Sequence, residues 1–255
     1  MELTGASAIV TGGASGLGEA VAHLLADQGC HVVIADRQAE LGKKVAAAVG
    51  GTFCLTDVTD SAQVQATVAA ATAAGPLRAL VNSAGIGRAA RTIDRDGSPA
   101  DLAVFERVVR INLLGTFNCV RLAASAMAAT NPLTDGERGA IVNVASVAAF
   151  DGQIGQAAYS ASKAGIAGMT LPLARDLAVA GIRVNTIAPG LFDTPIYGSG
   201  EQAGQFKAKL ASSVVFPRRL GDAAEFASLA LELLRNSYLN GEVVRLDGAA
   251  RMPPK

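Results

Sequence analysis

Short apolar, β-branched runs alternate with alanine-rich stretches of helical length along almost the whole chain, and few folds satisfy that alternation. Ser7 to Thr11 predicts a first strand and His31 to Ala35 (HVVIA) a second. A third ends before Asp57. Arg78 to Asn82, Ala140 to Ala145, Ile182 to Ala188 and Glu242 to Leu246 follow. These runs are apolar at successive positions, as expected of parallel strands covered on both faces. Helices are predicted over 16–28, 38–49, 61–74, 101–129, 157–180 and 222–235. Strand–helix–strand units of this kind close by right-handed crossovers into a doubly wound parallel sheet. A length of 255 residues suits one domain spanning 1–255. Polar stretches interrupt the pattern at 88–100, 131–139 and 189–205, lengths that suit functional loops.

Composition narrows the class of activity. Hydrophobic residues make up 50% and charged residues 17%, enough to bury a sizeable core. Lys and Arg number 22 and Asp and Glu 22, a balance that argues against a nucleic-acid or anionic-membrane surface. Cys30, Cys54 and Cys119 are widely spaced and form no Cys-x-x-Cys, which suits free thiols in a reducing compartment. His23 and His31 are the only histidines and join no ligand cluster, so no metal site is expected. The first residues run straight into a strand pattern without a secretory signal, and no apolar run is long enough to cross a bilayer. The expectation is a soluble cytoplasmic protein acting on a small molecule.

Thr11-Gly12-Gly13-Ala14-Ser15-Gly16-Leu17-Gly18 links the first strand to the first helix. Glycines there permit a tight turn and close approach of a pyrophosphate, and the helix N-terminus adds free N–H groups and partial positive charge. In this strand–turn–helix setting the pattern predicts a Rossmann-type dinucleotide site formed by Gly12, Ser15, Gly16, Leu17 and Gly18. Asp36 closes the second strand, where a carboxylate accepts hydrogen bonds from ribose hydroxyls and repels a 2′-phosphate, favouring NAD. Arg37 beside it is the opposing signal, since it can bind that phosphate. Asp57 and Val58 follow the third strand, near an adenine position, although Asp57 suits a turn equally well. Asn82-Ser83-Ala84-Gly85 ends the fourth strand with small residues, so Ser83 and Gly85 are placed along the cofactor.

Tyr159 and Lys163 stand one helical turn apart and therefore share a helix face. A free tyrosine has a pKa of about 10, and a nearby ammonium favours the phenolate. The pair thus predicts an acid/base tuned toward working pH. Ser146 follows the Ile141–Val144 strand and can hold a substrate oxygen toward Tyr159. Asn112 lies within a helical stretch; it is either a satisfied core amide or the holder of a water behind Lys163. A lone Tyr159 would be read as core packing. Its occurrence with the Gly-rich turn, Asn112, Ser146 and Lys163 is what carries the catalytic reading.

With these residues in hand, the chain resembles a classical short-chain dehydrogenase/reductase over nearly its whole length. Thr11-Gly12 with Gly16 and Gly18, Asn82-Ser83-Ala84-Gly85, Asn112, Ser146, Tyr159 with Lys163, and Pro189-Gly190 carry the resemblance. Ser83 stands where that family often has a second Asn. Longer strings, Gly155 to Lys163 (GQAAYSASK) and Asn240 to Arg251 (NGEVVRLDGAAR) among them, are similar to the type-2 3-hydroxyacyl-CoA dehydrogenases, also called 17-beta-hydroxysteroid dehydrogenases of type 10. The resemblance implies NAD as cofactor and a 3-hydroxyacyl-CoA as substrate. It further implies that Phe192 and Thr194 touch the nicotinamide end, that Gln156 lines the substrate side, and that the loop at about 190–215 shapes the substrate site. The stretch from Arg88 to Asp101 matches a subfamily insertion, open to two readings: a solvated loop or a contact with CoA phosphates. Pro172, shared by the relatives, is expected to kink the helix after Lys163 or force a local break. A homotetramer is implied through the two long helices and the C-terminal segment. Within the family the alternatives are a 3-oxoacyl-carrier-protein reductase and a steroid or secondary-alcohol dehydrogenase. Outside enzymes the alternative is a cofactor-binding scaffold without turnover, which the presence of Tyr159 and Lys163 opposes.

Overall fold

Successive residues of a strand face opposite sides of its sheet, so strands that are apolar throughout must be covered twice. The computed structural model, which describes residues 1–195, 198 and 200–254, answers that demand with a single parallel sheet. Its strands are β1 (Ser7–Thr11), β2 (His31–Asp36), β3 (Thr52–Leu55), β4 (Leu77–Asn82), β5 (Gly139–Val144), β6 (Ile182–Pro189) and β7 (Val243–Leu246), in spatial order β3-β2-β1-β4-β5-β6-β7. Register is kept by pairs such as Ile9 with Val33 and Leu80 with Ile141. Strand order reverses between β1 and β4. The loops leaving Thr11 and Asn82 therefore part there and open a crevice at the carboxyl edge.

Helices cover both faces. They are α1 (Gly16–Asp27), α2 (Ala39–Ala48), α3 (Ser61–Ala74), α4 (Leu102–Val109), α5 (Gly115–Ala128), α6 (Ala157–Ala178), α7 (Glu201–Ala211) and α8 (Ala223–Arg235). On one face Ala8, Val10, Val32, Ile34 and Val142 pack with Val21 and Leu25 of α1 and Phe226 and Leu233 of α8. On the other, Ile9, Val33, Leu80, Ile141 and Val184 pack with Val64 of α3, Val120 and Met127 of α5 and Leu173 of α6. Alternate residues of one strand thus serve opposite cores, which is why the strand pattern lacks a polar face. Caps set the helix starts: Asp60 accepts from the backbone N–H groups of Ala62 and Gln63, and Asp222 and Glu225 form a reciprocal capping box.

Three expectations change. The helix expected over 101–129 is divided, because a π-helical turn (Arg110–Leu114) separates α4 from α5. Periodicity cannot show one extra residue in a turn; tertiary bonds at Asn112, described below, hold it there. Pro172 does not break its helix. α6 runs continuously from Ala157 to Ala178, with Ile166, Thr170, Leu173 and Ala174 buried to hold it on the sheet. The stretch taken as the loop of about 190–215 contains α7, none of whose residues is fully buried. Ile196, Tyr197 and Ser199 of that loop, and Lys255 at the C-terminus, lie outside the described residues. Among the described residues no helix is long and apolar enough to cross a membrane, and no group of His, Cys, Asp and Glu could hold a metal.

Candidate active site

The carboxyl edge of the sheet holds a cleft of about 880 Å³, within the usual range for a cofactor-sized ligand. Gly12, Ser15, Gly16 and Leu17 line its floor from the β1–α1 turn. Gly12 has a φ of +67°, and a Cβ there would sit 2.7 Å from the backbone nitrogen of Ala84. Any side chain would therefore push apart the two loops that bound the crevice. Gly18 does not line the cleft. A Cβ on it would lie 2.2 Å from the Gly12 carbonyl oxygen, so its part is to let α1 start tight against the turn. The first N–H groups of α1 lack helical partners and face a site for an anion. Thr194, expected at the nicotinamide end, folds back to within 3.6 Å of where a Gly16 Cβ would be.

Asp36 lines the same cleft, its carboxylate fixed by hydrogen bonds from the backbone nitrogens of Ala14 (3.1 Å) and Gln38 (2.9 Å). Asp57 fills both roles offered for it. It closes a turn by accepting from the Thr59 nitrogen and hydroxyl at 2.9 and 2.8 Å, and it also lines the cleft beside Val58. Desolvation opposes its ionisation, but the Thr59 hydrogen bonds and the Arg37 and Arg110 charges leave its pKa below the ordinary value. Arg37 lies 3.7 Å from Asp57, so the basic residue next to Asp36 has a carboxylate partner. Ser83 and Gly85 line the opposite lip. The Gly-rich cradle, the helix N-terminus and an anchored carboxylate at the β2 end fit a nicotinamide dinucleotide.

Ser146, Gln156, Tyr159 and Lys163 form the facing wall. Ser146 ends the loop from β5, where its Oγ accepts from the Ala148 nitrogen at 3.1 Å and its hydroxyl bonds the Tyr159 phenol. Lys163 stands one turn along α6, its Nζ lying 5.8 Å from the Tyr159 ring centre and donating to the Val144 carbonyl at 2.7 Å. Burial drives the Lys163 pKa down to about 8. Sequence reasoning expected Lys163 to lower the Tyr159 pKa. The net direction is the reverse: burial raises it, and only the Ser146 hydrogen bond pulls it down. The protein alone therefore keeps the phenol protonated, because removing water from its oxygen outweighs the help its neighbours give.

Asn112 is fully buried in the π-helical turn. Its Oδ1 accepts from the Ile86 nitrogen (2.8 Å), and its Nδ2 donates to the Ile86 carbonyl (3.0 Å) and to Ser162 Oγ (3.1 Å). Ser162 Oγ in turn donates to the Tyr159 carbonyl at 2.8 Å. Asn112 thus braces the lip after β4 against α6, and Gly85 is wedged between Asn112 and Lys163. The Asn112 side-chain amide is satisfied by these partners and positions its neighbours on α6. Phe192 lines the cleft, but its ring is buried edge-on to Phe226 at 6.1 Å, so it acts as wall. Gln156 lines the cleft with its Oε1 held by the Gln153 nitrogen. Sequence reasoning missed the Ile86 backbone and the Val144 carbonyl. Main-chain groups act there, and the side chains carry no signal of it.

Arg88 also reaches the cleft, whereas Arg91 and Arg95 are exposed outside its lining. The Arg88–Asp101 stretch folds on itself through an Ile93–Pro99 bridge, and Asp101 caps α4.

Residues 6–203 match the family described as short chain dehydrogenase. The chain is 51% identical to the human protein named 3-hydroxyacyl-CoA dehydrogenase type-2, over 98% of this chain and 97% of that one. A crystal structure titled as 3-hydroxyacyl-CoA dehydrogenase type-2 from Mycobacterium avium superposes with a TM-score of 0.93 at 51% identity, covering 98% of each chain. More distant is ipsdienol dehydrogenase of Ips pini, 35% identical over 95% of this chain and 96% of the other.

Proposed function

The chain belongs to the short chain dehydrogenase family of oxidoreductases, and from that membership we propose that it interconverts a 3-hydroxyacyl-CoA and a 3-oxoacyl-CoA with NAD. The observation that carries the reading is the Ser146–Tyr159–Lys163 wall facing a glycine cradle across one cleft. The similarity to 3-hydroxyacyl-CoA dehydrogenases over nearly the full chain supports the acyl-CoA substrate. Asp36 supports NAD over NADP, since a fixed carboxylate at the β2 end repels a 2′-phosphate.

When bound, the nicotinamide supplies the hydride acceptor or donor. Ser146, whose Oγ already accepts from Ala148, turns its hydroxyl proton from the Tyr159 phenol to the substrate oxygen when substrate is present. Tyr159 takes the alcohol proton in oxidation and returns it in reduction. Its neutral form, favoured by burial, suits donation to a carbonyl. Lys163 is anchored by Val144 beneath Tyr159, where its ammonium stabilises negative charge that develops on the phenol. Val215 and Phe216, both exposed beyond α7, offer apolar surface to an acyl chain.

The proposal extends to a single catalytic unit that assembles as a homotetramer. Leu102, Phe105, Leu114 and Phe117 are exposed along α4 to α5, and Leu171 and Val179 along α6, as faces that associate would be. A cytoplasmic site is supported by three free thiols, of which Cys30 and Cys119 have pKa values pushed up to about 12 by burial and stay unreactive. The deciding assay mixes purified protein with acetoacetyl-CoA and either NADH or NADPH and follows the loss of nicotinamide absorbance. Turnover with NADH is expected. Turnover confined to a steroid or a free secondary alcohol would refute the acyl-CoA assignment.

A further inference from the structure

Outside the cleft, a dense polar cluster centres on Arg245 of β7. Its Nη2 and Nη1 donate to the two oxygens of Asp151 at 2.6 and 3.2 Å. Its Nε donates to Asp247 Oδ2 at 2.7 Å, and Nη2 also reaches the Ala250 carbonyl at 3.2 Å. Arg251 adds a second guanidinium to Asp247 at 3.1 Å. The guanidinium of Arg245 lies 5.5 Å from the Phe150 ring centre. A planar fork that meets one carboxylate bidentately and a second through Nε has little freedom, and both of its carboxylates are mostly buried.

The partners of this cluster are the backs of the cleft walls. Asp151 lies in the loop between Ser146 and Tyr159. Asp247 backs Gly190, whose Cβ, if present, would sit 2.7 Å from the Asp247 Cβ, and Gly190 lines the cleft from the turn after β6. The neighbouring Gly248 carbonyl accepts from both Val215 and Phe216 at 3.2 Å, at the far end of the segment carrying α7. The loop at Gln153 and Ile154 is tied to the same C-terminal segment through the Pro253 and Pro254 carbonyls, at 2.9 and 3.0 Å. A displaced guanidinium would free the Ser146–Tyr159 loop and the Gly190 turn to move apart. The distance between them is what an aligned transfer requires.

We propose that Arg245 is a positioning residue for catalysis: by clamping Asp151 to Asp247 it sets the spacing between the loop that carries Ser146 and the cofactor-side turn at Gly190. The inference rests on the reading of Ser146 and Tyr159 as the catalytic pair, and Tyr159→Phe tests that reading separately. Arg245→Met removes the charge and keeps the length. It is expected to lower kcat at least tenfold while the NADH Kd, read by nicotinamide fluorescence, stays within twofold and binding remains stoichiometric. The primary deuterium isotope effect from 4-deuterated NADH should rise as hydride transfer becomes slower. Arg245→Lys should recover only part of kcat, because a point charge cannot span two carboxylates. Asp151→Asn, which preserves shape and is the deciding variant should Arg245→Met not fold, should show the same split. A kcat at the wild-type level with Tyr159→Phe inactive would overturn the positioning role alone. So would a loss of kcat matched by a loss of NADH binding, the signature of a merely structural role.

Discussion

The two walls of the cleft are built on opposite plans. The cofactor wall is centred on one stretch of chain, β1, the Gly12–Gly18 turn and the α1 N-terminus, with the anchored Asp36 at the end of the next strand and the turns at Ser83 and Gly190 beside it. It works through backbone groups and through side chains that are missing: a Cβ on Gly18 would lie 2.2 Å from the Gly12 carbonyl oxygen. The catalytic wall is made of side chains drawn from distant segments. Tyr159 and Lys163 come from α6, Ser146 from β5, and Asn112 and Arg245 brace them from the π-helical turn and β7. The first wall is fixed by backbone geometry and close backbone packing. The second has to bury titratable groups, and that burial sets their chemistry.

Three further experiments press on this contrast. The largest effect belongs to the catalytic wall: Tyr159→Phe should lower kcat by about 1,000-fold, the range expected of a positioned acid/base. NADH affinity, measured by fluorescence titration, should be retained. If the two fell together, the walls would not be separable.

Next is Lys163→Met. The Lys163 pKa is depressed from 10.5 to about 8, a shift worth roughly 3 kcal/mol at about 1.4 kcal/mol per unit. Below pH 8 both folded and unfolded chains hold the proton, so the buried ammonium destabilises the fold in full. Between about 8 and 10.5 the folded chain releases it first, the unfolded chain binds more protons, and stability rises with pH. Wild type should therefore gain on the inactive variant by roughly 3 kcal/mol across that window in urea titrations. A constant difference would mean that the lysine is not desolvated as the fold implies.

The smallest effect tests the cofactor wall. Asp36→Ala should shift the NADPH-to-NADH ratio of kcat/KM toward NADPH by about tenfold, or roughly 1.4 kcal/mol, by removing charge repulsion. An unchanged ratio would pass discrimination to Arg37 and Asp57, which already pair at 3.7 Å.

What could be read in the chain follows the same division. Gly12, Gly16 and Asp36 were legible because the glycine spacing sits between a predicted strand and a predicted helix and the carboxylate closes the next strand, even though Gly12 packs on Ala84 and Asp36 is held by Ala14. Asn112 was visible as a polar residue in an apolar helix, but its partners, Ile86 and Ser162, are remote in sequence. α7 was missed although Ala203, Phe206 and Leu210 fall at helical spacing, because Gly198, Gly200 and Gly204 at its start read as loop. Asp151 and Arg245 were given no role from the sequence, since nothing local shows that they meet bidentately.

Sequence alone determined the doubly wound sheet, through strands apolar on both sides, and the shared face of Tyr159 and Lys163, through the period of a helix. Those are short-range properties of a regular backbone. Tertiary structure alone decided that the Tyr159 pKa moves up, that a π-helical turn interrupts the helix at Asn112, and that the catalytic loop is clamped from β7. Desolvation and long-range hydrogen bonding depend on which distant atoms exclude water from a group, and that is fixed only when the chain has folded.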